Sequence, residues 1–293
     1  MTGSFIAGID IGGSHITVAL VDVEKRLVVE QSKKRALINS QEAAEIVIQE
    51  WAKTIRESFD GFGLAAHQLA IAMPGPFDYA KGISLMQGQN KFDALYGLNI
   101  KQMLATELGL AASDISFAND AACFLQGELF GGVAKGFHST FGLTLGTGFG
   151  SARAFDGYAE DANLWCAPFY DGIAEDFLSG RWLTKRYHEL TGRQLPDVKA
   201  LTEDNGRNGQ KVFETFGNNL GLFLTPYLKS ENTEVVVLGG SIAQSFHLFY
   251  PALQQQLDNH AIDAKVYKST LGENAAMLGA VGFSLSPTVR VTG

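Results

Sequence analysis

The sequence predicts a mixed α/β protein made of two related domains with a cleft between them. Three observations carry that prediction. The first half orders its predicted elements strand, strand, strand, helix, strand, helix, strand, the pattern of a mixed sheet with helices on its faces. A strand–glycine turn–strand unit opens the chain, Gly8-Ile9-Asp10-Ile11-Gly12-Gly13-Ser14 followed by residues 15–22. The same pattern returns 134 residues later (142 less 8) and matches without a gap: Gly8 on Gly142, Asp10 on Thr144, Gly12 on Gly146 and Asp22 on Asp156. An internal repeat of this kind reads as two related domains.

The elements follow from local pattern. Strands are expected at 5–11, 15–22 and 26–33. Residues 41–59 place Ala44, Val47, Ile48, Trp51 and Ile55 at helical spacing behind Ser40, a candidate N-cap. Residues 69–73 form a short apolar strand that Pro74-Gly75-Pro76 ends. A helix over 99–109 stops at its glycine, a strand at 114–118 runs into Asn119-Asp120, and a helix over 121–130 starts at once. In the second half strands are expected at 139–145 and 150–155 and helices at 175–190 and 210–228. The strand 234–238, the turn Gly239-Gly240-Ser241, a helix, the strand 265–269 and a last helix over 273–284 complete it. Residues 156–172 show no regular pattern, and 197–209 read as a surface loop or short helix. No linker separates the halves, so the seam falls at a strand end. The domains are expected over 1–118, joined by the last stretch at about 282–293, and over 119–281.

The chain has 293 residues, 46% hydrophobic and 18% charged, enough apolar material for a substantial core. A net charge of −8 argues against a duplex nucleic-acid surface, which needs clustered Lys and Arg. It leaves room for an anionic ligand held by backbone N–H groups. Two cysteines, Cys123 and Cys166, give no disulfide framework and suit a reducing interior. There is no leader pattern and no apolar run of membrane-spanning length. The expectation is a cytoplasmic protein with neither a membrane nor a nucleic-acid partner.

Several residues could carry chemistry. A glycine turn lets backbone N–H groups approach an anion, and Asp10, just before the first turn, can hold a metal ion beside a phosphate. The second turn has Thr144 in that place. Asn119-Asp120 lies where a buried strand meets a helix, the sheet end at which ligands collect. A carboxylate there can take a proton from a sugar hydroxyl, and either residue would also cap the helix. Asn90 sits in a polar loop with an amide that both donates and accepts. Glu160 and Glu175 flank the irregular region, Glu175 at a helix start where the dipole favours an acid. Read singly, each is an exposed acid. The turn at Gly239-Gly240-Ser241 suits close approach of a flat ligand or phosphate. A Walker loop, a Rossmann glycine fingerprint, a nucleophile elbow and a metal-ligand spacing of the six histidines are all absent.

Together these stretches resemble the ROK family of sugar kinases, of the actin-like ATPase fold shared with hexokinases, over nearly the whole chain. Asp10-Ile11-Gly12-Gly13-Ser14 is similar to its first phosphate motif, Leu145-Gly146-Thr147-Gly148-Phe149-Gly150 to its second, and Leu238-Gly239-Gly240-Ser241 to its adenosine motif. Ala72-Met73-Pro74-Gly75-Pro76 and Asn119-Asp120-Ala121 match its sugar-site turn and catalytic Asp. The resemblance implies two ribonuclease H-like (actin-like ATPase) domains and ATP- and Mg²⁺-dependent phosphorylation of a hexose or N-acylhexosamine. It implies Asp120 as the base and Asp10 as the Mg²⁺ ligand, directly or through water. It places Asp10, Gly12, Gly13, Ser14, Gly146, Thr147, Gly148, Gly239 and Gly240 around ATP. It places Pro74, Gly75, Asn90, Asn119, Asp120, Glu160, Asn163 and Glu175 at the sugar, and it implies a homodimer.

The departures matter too. Many members carry a zinc motif, Cys-x-Cys-Gly-x-x-Gly-Cys, before the Glu matched by Glu175. Cys166 fits its first Cys, but Pro168 and Ile173 replace the other two. Glu160-Asp161-Ala162-Asn163 stands where Glu-x-Gly-His supplies the fourth ligand, so no structural zinc is expected. The missing His also touches the sugar, which opens the question of specificity at Asn163. Two rival readings are a sugar sensor and a binder without turnover. Repressors of the family carry an N-terminal helix-turn-helix, whereas this sequence enters its first strand within five residues. Intact Asp10, Asp120 and glycine turns oppose loss of turnover.

Overall fold

Strand β1 (Phe5–Ile11) turns at the first glycine pair and returns antiparallel as β2 (His15–Asp22). In this computed structural model, which describes residues 4–64, 67–88, 91–204 and 206–286, that hairpin nucleates the first of two sheets. Two short strands, β3 (Leu27–Val28) and β4 (Lys34–Leu37), pair with β2. Helix α1 (Ala44–Asp60), strand β5 (Leu69–Met73), the ribbon β6 (Phe77–Asp78) and β7 (Ile83–Ser84), helix α2 (Ile100–Leu108), strand β8 (Ile115–Asn119) and helix α3 (Asp120–Gly131) follow. The sheet order is β3-β2-β1-β5-β8, with β5 parallel to both β1 and β8. The inner strand β5, flanked by β1 and β8, is buried along its whole length, which is why Leu-Ala-Ile-Ala-Met reads as a continuous apolar run.

The second sheet repeats the first. It contains β9 (Ser139–Leu145), β10 (Phe149–Phe155) and β11 (Tyr158–Asp161), and then, after the ribbon β12 (Pro168–Phe169) and β13 (Gly172–Ile173), four helices intervene. These are α4 (Ala174–Leu178), α5 (Gly180–Thr191), α6 (Val198–Glu203) and α7 (Arg207–Ser230). Strand β14 (Val235–Gly239), helix α8 (Phe246–Asn259) and strand β15 (Lys265–Lys268) close the sheet in the order β11-β10-β9-β14-β15. Helix α9 (Asn274–Leu285) comes last and packs on β1 and α3. Both sheets therefore run three antiparallel strands and then two parallel ones, as the sequence repeat requires.

The repeat is not free of gaps, however. Ile11 pairs with Ile16 across the first turn, whereas Leu145 pairs with Phe149 across the second. Gly12 N–H donates to His15 O at 2.9 Å and Gly146 N–H to Gly148 O at 3.1 Å, so the second turn is one residue shorter. Asp22, opposite Phe5, thus corresponds to Phe155, opposite Ser139, and not to Asp156, which sits in the following turn at φ 49°. Pairing register decides which face a side chain takes, so it overrides a match of residue letters. Carried sideways, Asp10 lies beside Ala72 and Thr144 beside Gly239. Gly239-Gly240 therefore takes the place of Ala72-Met73, immediately before the Pro74-Gly75 turn.

Local chemistry moved other boundaries. The strand expected over 26–33 is interrupted at Glu30–Ser32, because Ser32 Oγ accepts the Leu20 N–H at 2.8 Å that a strand carbonyl would have taken. Ser40 does not cap α1. Gln41 N–H instead donates to Asn39 Oδ1 at 3.1 Å, and the helix begins behind Ala43. The helix expected over 175–190 breaks at Ser179, which is extended, because Gly180 N–H reaches Gly146 O at 2.8 Å. The irregular stretch 156–172 contains β11 and the β12–β13 ribbon.

Contacts divide the chain into Met1–Gly131 with Glu273–Gly293, and Gly132–Gly272. The seam lies after α3, where the sequence expectation set it before that helix, and the return takes in all of α9. The reason is helix packing: nearly every face of α3 is buried, and Cys123 and Gly127 lie against Gly279 and Ala275 of α9. The first unit's core gathers Ile9, Val18, Trp51, Ile71 and Phe117; the second gathers Phe141, Phe213, Phe216, Val236 and Phe249. Among the described residues no helix is long and apolar enough to cross a membrane.

Candidate active site

In the first unit the junction of β8 and α3 is fixed by side chains. Asn119 Oδ1 accepts the Ala122 N–H at 2.9 Å and so caps α3, while Asp120 Oδ1 accepts the Ala121 N–H at 2.9 Å. Asn119 Nδ2 donates to Tyr79 Oη at 3.3 Å, and Tyr79 Oη donates to Met73 O at 3.1 Å. The same hydroxyl would stand 3.2 Å from a Cβ added at Gly75. One hydroxyl therefore ties the Met73-Pro74-Gly75 turn to Asn119. Nothing in the sequence around Tyr79 signals this.

Asp10 ends β1 in a setting hostile to its charge. Burial, then the like charges of Asp120 and Glu273, push its carboxyl up to about 7, and only Arg35 opposes them. Arg35 is itself committed to both Glu273 oxygens, at 2.9 and 3.1 Å. The buried Cys123 thiol is pushed up by burial and by the charges of Asp120 and Asp10, so both carboxylates act on one place. A hard cation with oxygen ligands would relieve that repulsion. Among the described residues no group of three His, Cys, Asp or Glu is placed to hold a metal. Gly12, Gly13 and Ser14 form the turn just beyond, with the Lys91 side chain beside Gly13. Asn90 lies outside the described residues.

The second unit builds its own site around Gly146-Thr147-Gly148. Glu175 Oε2 accepts the Phe149 N–H at 3.1 Å, and a Cβ on residue 148 would stand 2.7 Å from that oxygen, so a side chain there would displace the Glu175 carboxylate. Glu175 Oε1 accepts from Arg181 Nη2 at 2.5 Å. Gly240 takes φ 86°, and a Cβ there would stand 2.3 Å from Leu145 O. Between these turns opens a cavity of about 630 Å³, lined by Gly146, Thr147, Gly180, Arg181, Thr184, Val198, Ser241 and Gln244 among others. The sequence indicated its two glycine turns but not its walls from α5 and α6, which only the break at Ser179 brings there.

Glu160, Leu164 and Glu175 are fastened to alternate residues of β10. Glu175 binds at Phe149. Leu164 N–H, next to Asn163, donates to Ser151 Oγ at 2.9 Å. Glu160 pairs with Arg153 at 2.7 Å, and Arg153 also reaches Glu231 at 3.1 Å. Glu160 is thus placed with Arg153 and not with Glu175. Asn163, at φ 50°, accepts from Trp165 Nε1 at 2.9 Å. Of the three positions compared with the zinc motif, Pro168 and Ile173 pair across the β12–β13 ribbon, and Cys166 Sγ contacts Asn163 O at 3.7 Å. Phe169, Tyr170, Phe177 and Phe223 stack beside them with ring centroids 4.2 to 5.7 Å apart.

Residues 6–286 match the ROK family. The chain belongs to the ROK family. Among its relatives, a glucokinase of Thermotoga maritima is 25% identical over 94% of this chain and 95% of its own. An N-acetyl-D-glucosamine kinase of Aliivibrio fischeri is 24% identical over 93% of this chain and 97% of its own. A ROK glucokinase of Streptomyces griseus, solved with glucose and AMPPNP, superposes with a TM-score of 0.78 at 18% identity, covering 96% of this chain and 99% of that one. That likeness shows the fold, the two-domain actin-like ATPase fold of ROK proteins. The strand orders β3-β2-β1-β5-β8 and β11-β10-β9-β14-β15 match strand for strand, so the turns at Gly12-Gly13 and Gly146–Gly148 are counterparts within one duplicated scaffold.

Proposed function

We propose that this protein is an ATP-dependent sugar kinase that phosphorylates a hydroxyl of a hexose or N-acylhexosamine, with Asp120 as general base. The observation that carries this reading is Asp10 beside Asp120 at the sheet end of the first unit, with Asp10 raised to about 7. Two carboxylates in one place fit two tasks, one toward a cation and one toward a proton. Named relatives that phosphorylate glucose or N-acetyl-D-glucosamine support the class of acceptor.

In this reading Asp120 accepts the proton of the attacking sugar hydroxyl, which makes that oxygen a better nucleophile. Asp10 would hold Mg²⁺, directly or through water, and the bound ion neutralises phosphate charge. Gly12, Gly13 and Ser14 present N–H and hydroxyl groups to phosphate. Gly146, Thr147, Gly148, Gly239 and Gly240 shape the cavity for the rest of ATP. Pro74, Gly75, Asn90, Asn119, Glu160, Asn163 and Glu175 hydrogen-bond the sugar in this reading. Glu160 must then leave Arg153. A polyol offers many donors and acceptors, and a missing partner is costly, so such groups select their substrate. The reading takes small molecules as partners, with no nucleic acid and no membrane, in the cytoplasm, as a homodimer without structural zinc.

Coupled ADP release with ATP, Mg²⁺ and a panel of hexoses and N-acylhexosamines tests it. Turnover on one sugar is expected. Binding of a sugar without ADP release across the panel would contradict it and favour a sensing or binding role.

A further inference from the structure

Arg181 is the one described residue that lines both the 630 Å³ cavity at the glycine turns and a second cavity of about 780 Å³ that includes Glu175, Tyr170, Trp182 and Lys185. Its side chain is 70% exposed, and its recorded bond is the one from Nη2 to Glu175 Oε1. A guanidinium offers five N–H donors in a planar fork that matches phosphate as well as carboxylate. Gly180, the first residue of α5, is bonded to Gly146 O, so Arg181 sits in the first turn of α5 at the edge of the second glycine turn. Meanwhile both oxygens of Glu175 are occupied, one by the Phe149 N–H and the other by Arg181. As it stands, the Arg181 guanidinium covers Oε1 of Glu175 before any sugar arrives.

We propose that Arg181 couples the two substrates: it holds Glu175 Oε1 when no nucleotide is bound and turns to phosphate when the nucleotide enters, releasing that oxygen to a sugar hydroxyl. This rests on the kinase reading above. The Phe149 N–H keeps the second oxygen fixed throughout, so the carboxylate does not move when Arg181 leaves. Nucleotide and sugar then bind with positive coupling, and by linkage each tightens the other equally. Arg181 acts as a positioning residue, since it touches phosphate but acts on the sugar only through Glu175.

Calorimetric titration of glucose and of N-acetylglucosamine, with and without a non-hydrolysable ATP analogue, tests it in wild type, Arg181→Gln and Arg181→Lys. Melting temperatures serve as the folding check, which an exposed side chain should pass. In wild type the analogue should tighten the accepted sugar by about fivefold or more, a typical coupling. In Arg181→Gln the ratio should fall to about one, because nucleotide-free affinity rises toward the coupled value. Arg181→Lys should keep part of the ratio. The proposal is overturned if wild type shows no coupling while turning over sugar, or if Arg181→Gln keeps the wild-type ratio. In either case the kinase reading stands. If wild type neither binds nor phosphorylates any sugar of the panel, the kinase reading itself fails and takes this proposal with it.

Discussion

Asn119 Oδ1 accepts the Ala122 N–H at 2.9 Å, so the cap of α3 is Asn119 and Asp120 is the first helical residue. Capping and proton transfer, which the sequence allowed to either residue, fall to different side chains. Asn119→Ala should lower stability by about 1 kcal/mol, the usual worth of a cap. Turnover should fall with it, since the start of α3 positions Asp120. Asn119→Ser restores a cap without the Tyr79 link, so it should recover melting temperature but not sugar affinity. Melting curves beside sugar titrations separate the two losses.

The turn at Gly240 permits no side chain. Gly240→Ala would add a left-handed alanine at φ 86° and a carbon 2.3 Å from Leu145 O. Strain of this kind costs about 1–3 kcal/mol. If the turn shapes the nucleotide cavity, ATP affinity should drop while sugar binding in the absence of nucleotide stays near wild type. Fluorescence titration with a labelled nucleotide reads this directly, and unchanged affinity would remove Gly240 from the site.

Glu234 supplies the pH dependence most easily checked. Its carboxylate accepts the Ser139 N–H at 3.2 Å and the His138 N–H at 2.6 Å, which hold its pKa below the ordinary 4.5. A carboxyl depressed in the folded state stabilises it above the unfolded pKa, and that contribution is lost as pH falls through the folded value. Glu234→Gln should therefore melt lower than wild type at pH 7, with the gap closing as pH drops below about 4. These bonds anchor the start of β9, whose far end carries the second glycine turn.

What the sequence revealed was local. The hairpin repeat, the apolar β5 and β14, the stop of α2 at Gly109 and the junction at Asn119-Asp120 are all written in short stretches whose chemistry is self-contained. What it hid was tertiary. The one-residue difference between the two turns is invisible to letter matching because register is set by sheet packing. The break at Ser179 depends on a bond from Gly180 to Gly146, 34 residues away by numbering (180 less 146). Tyr79 joins the Pro74-Gly75 turn to Asn119 through a hydroxyl that no local pattern marks. Glu160 is paired with its cross-strand neighbour Arg153, a contact set by strand register and not by local pattern. In each case a distant partner decided what a side chain does.

Asp120→Asn tests the central claim most directly, measured as ADP release on the accepted sugar beside sugar binding by calorimetry. The substitution keeps size and leaves the Asn119 cap untouched, but removes the carboxylate that takes the proton. The account predicts a fall in kcat of about 10²–10⁴-fold, the usual contribution of a general base, with sugar affinity retained. Turnover close to wild type in a variant that still binds sugar would contradict it and move the base elsewhere.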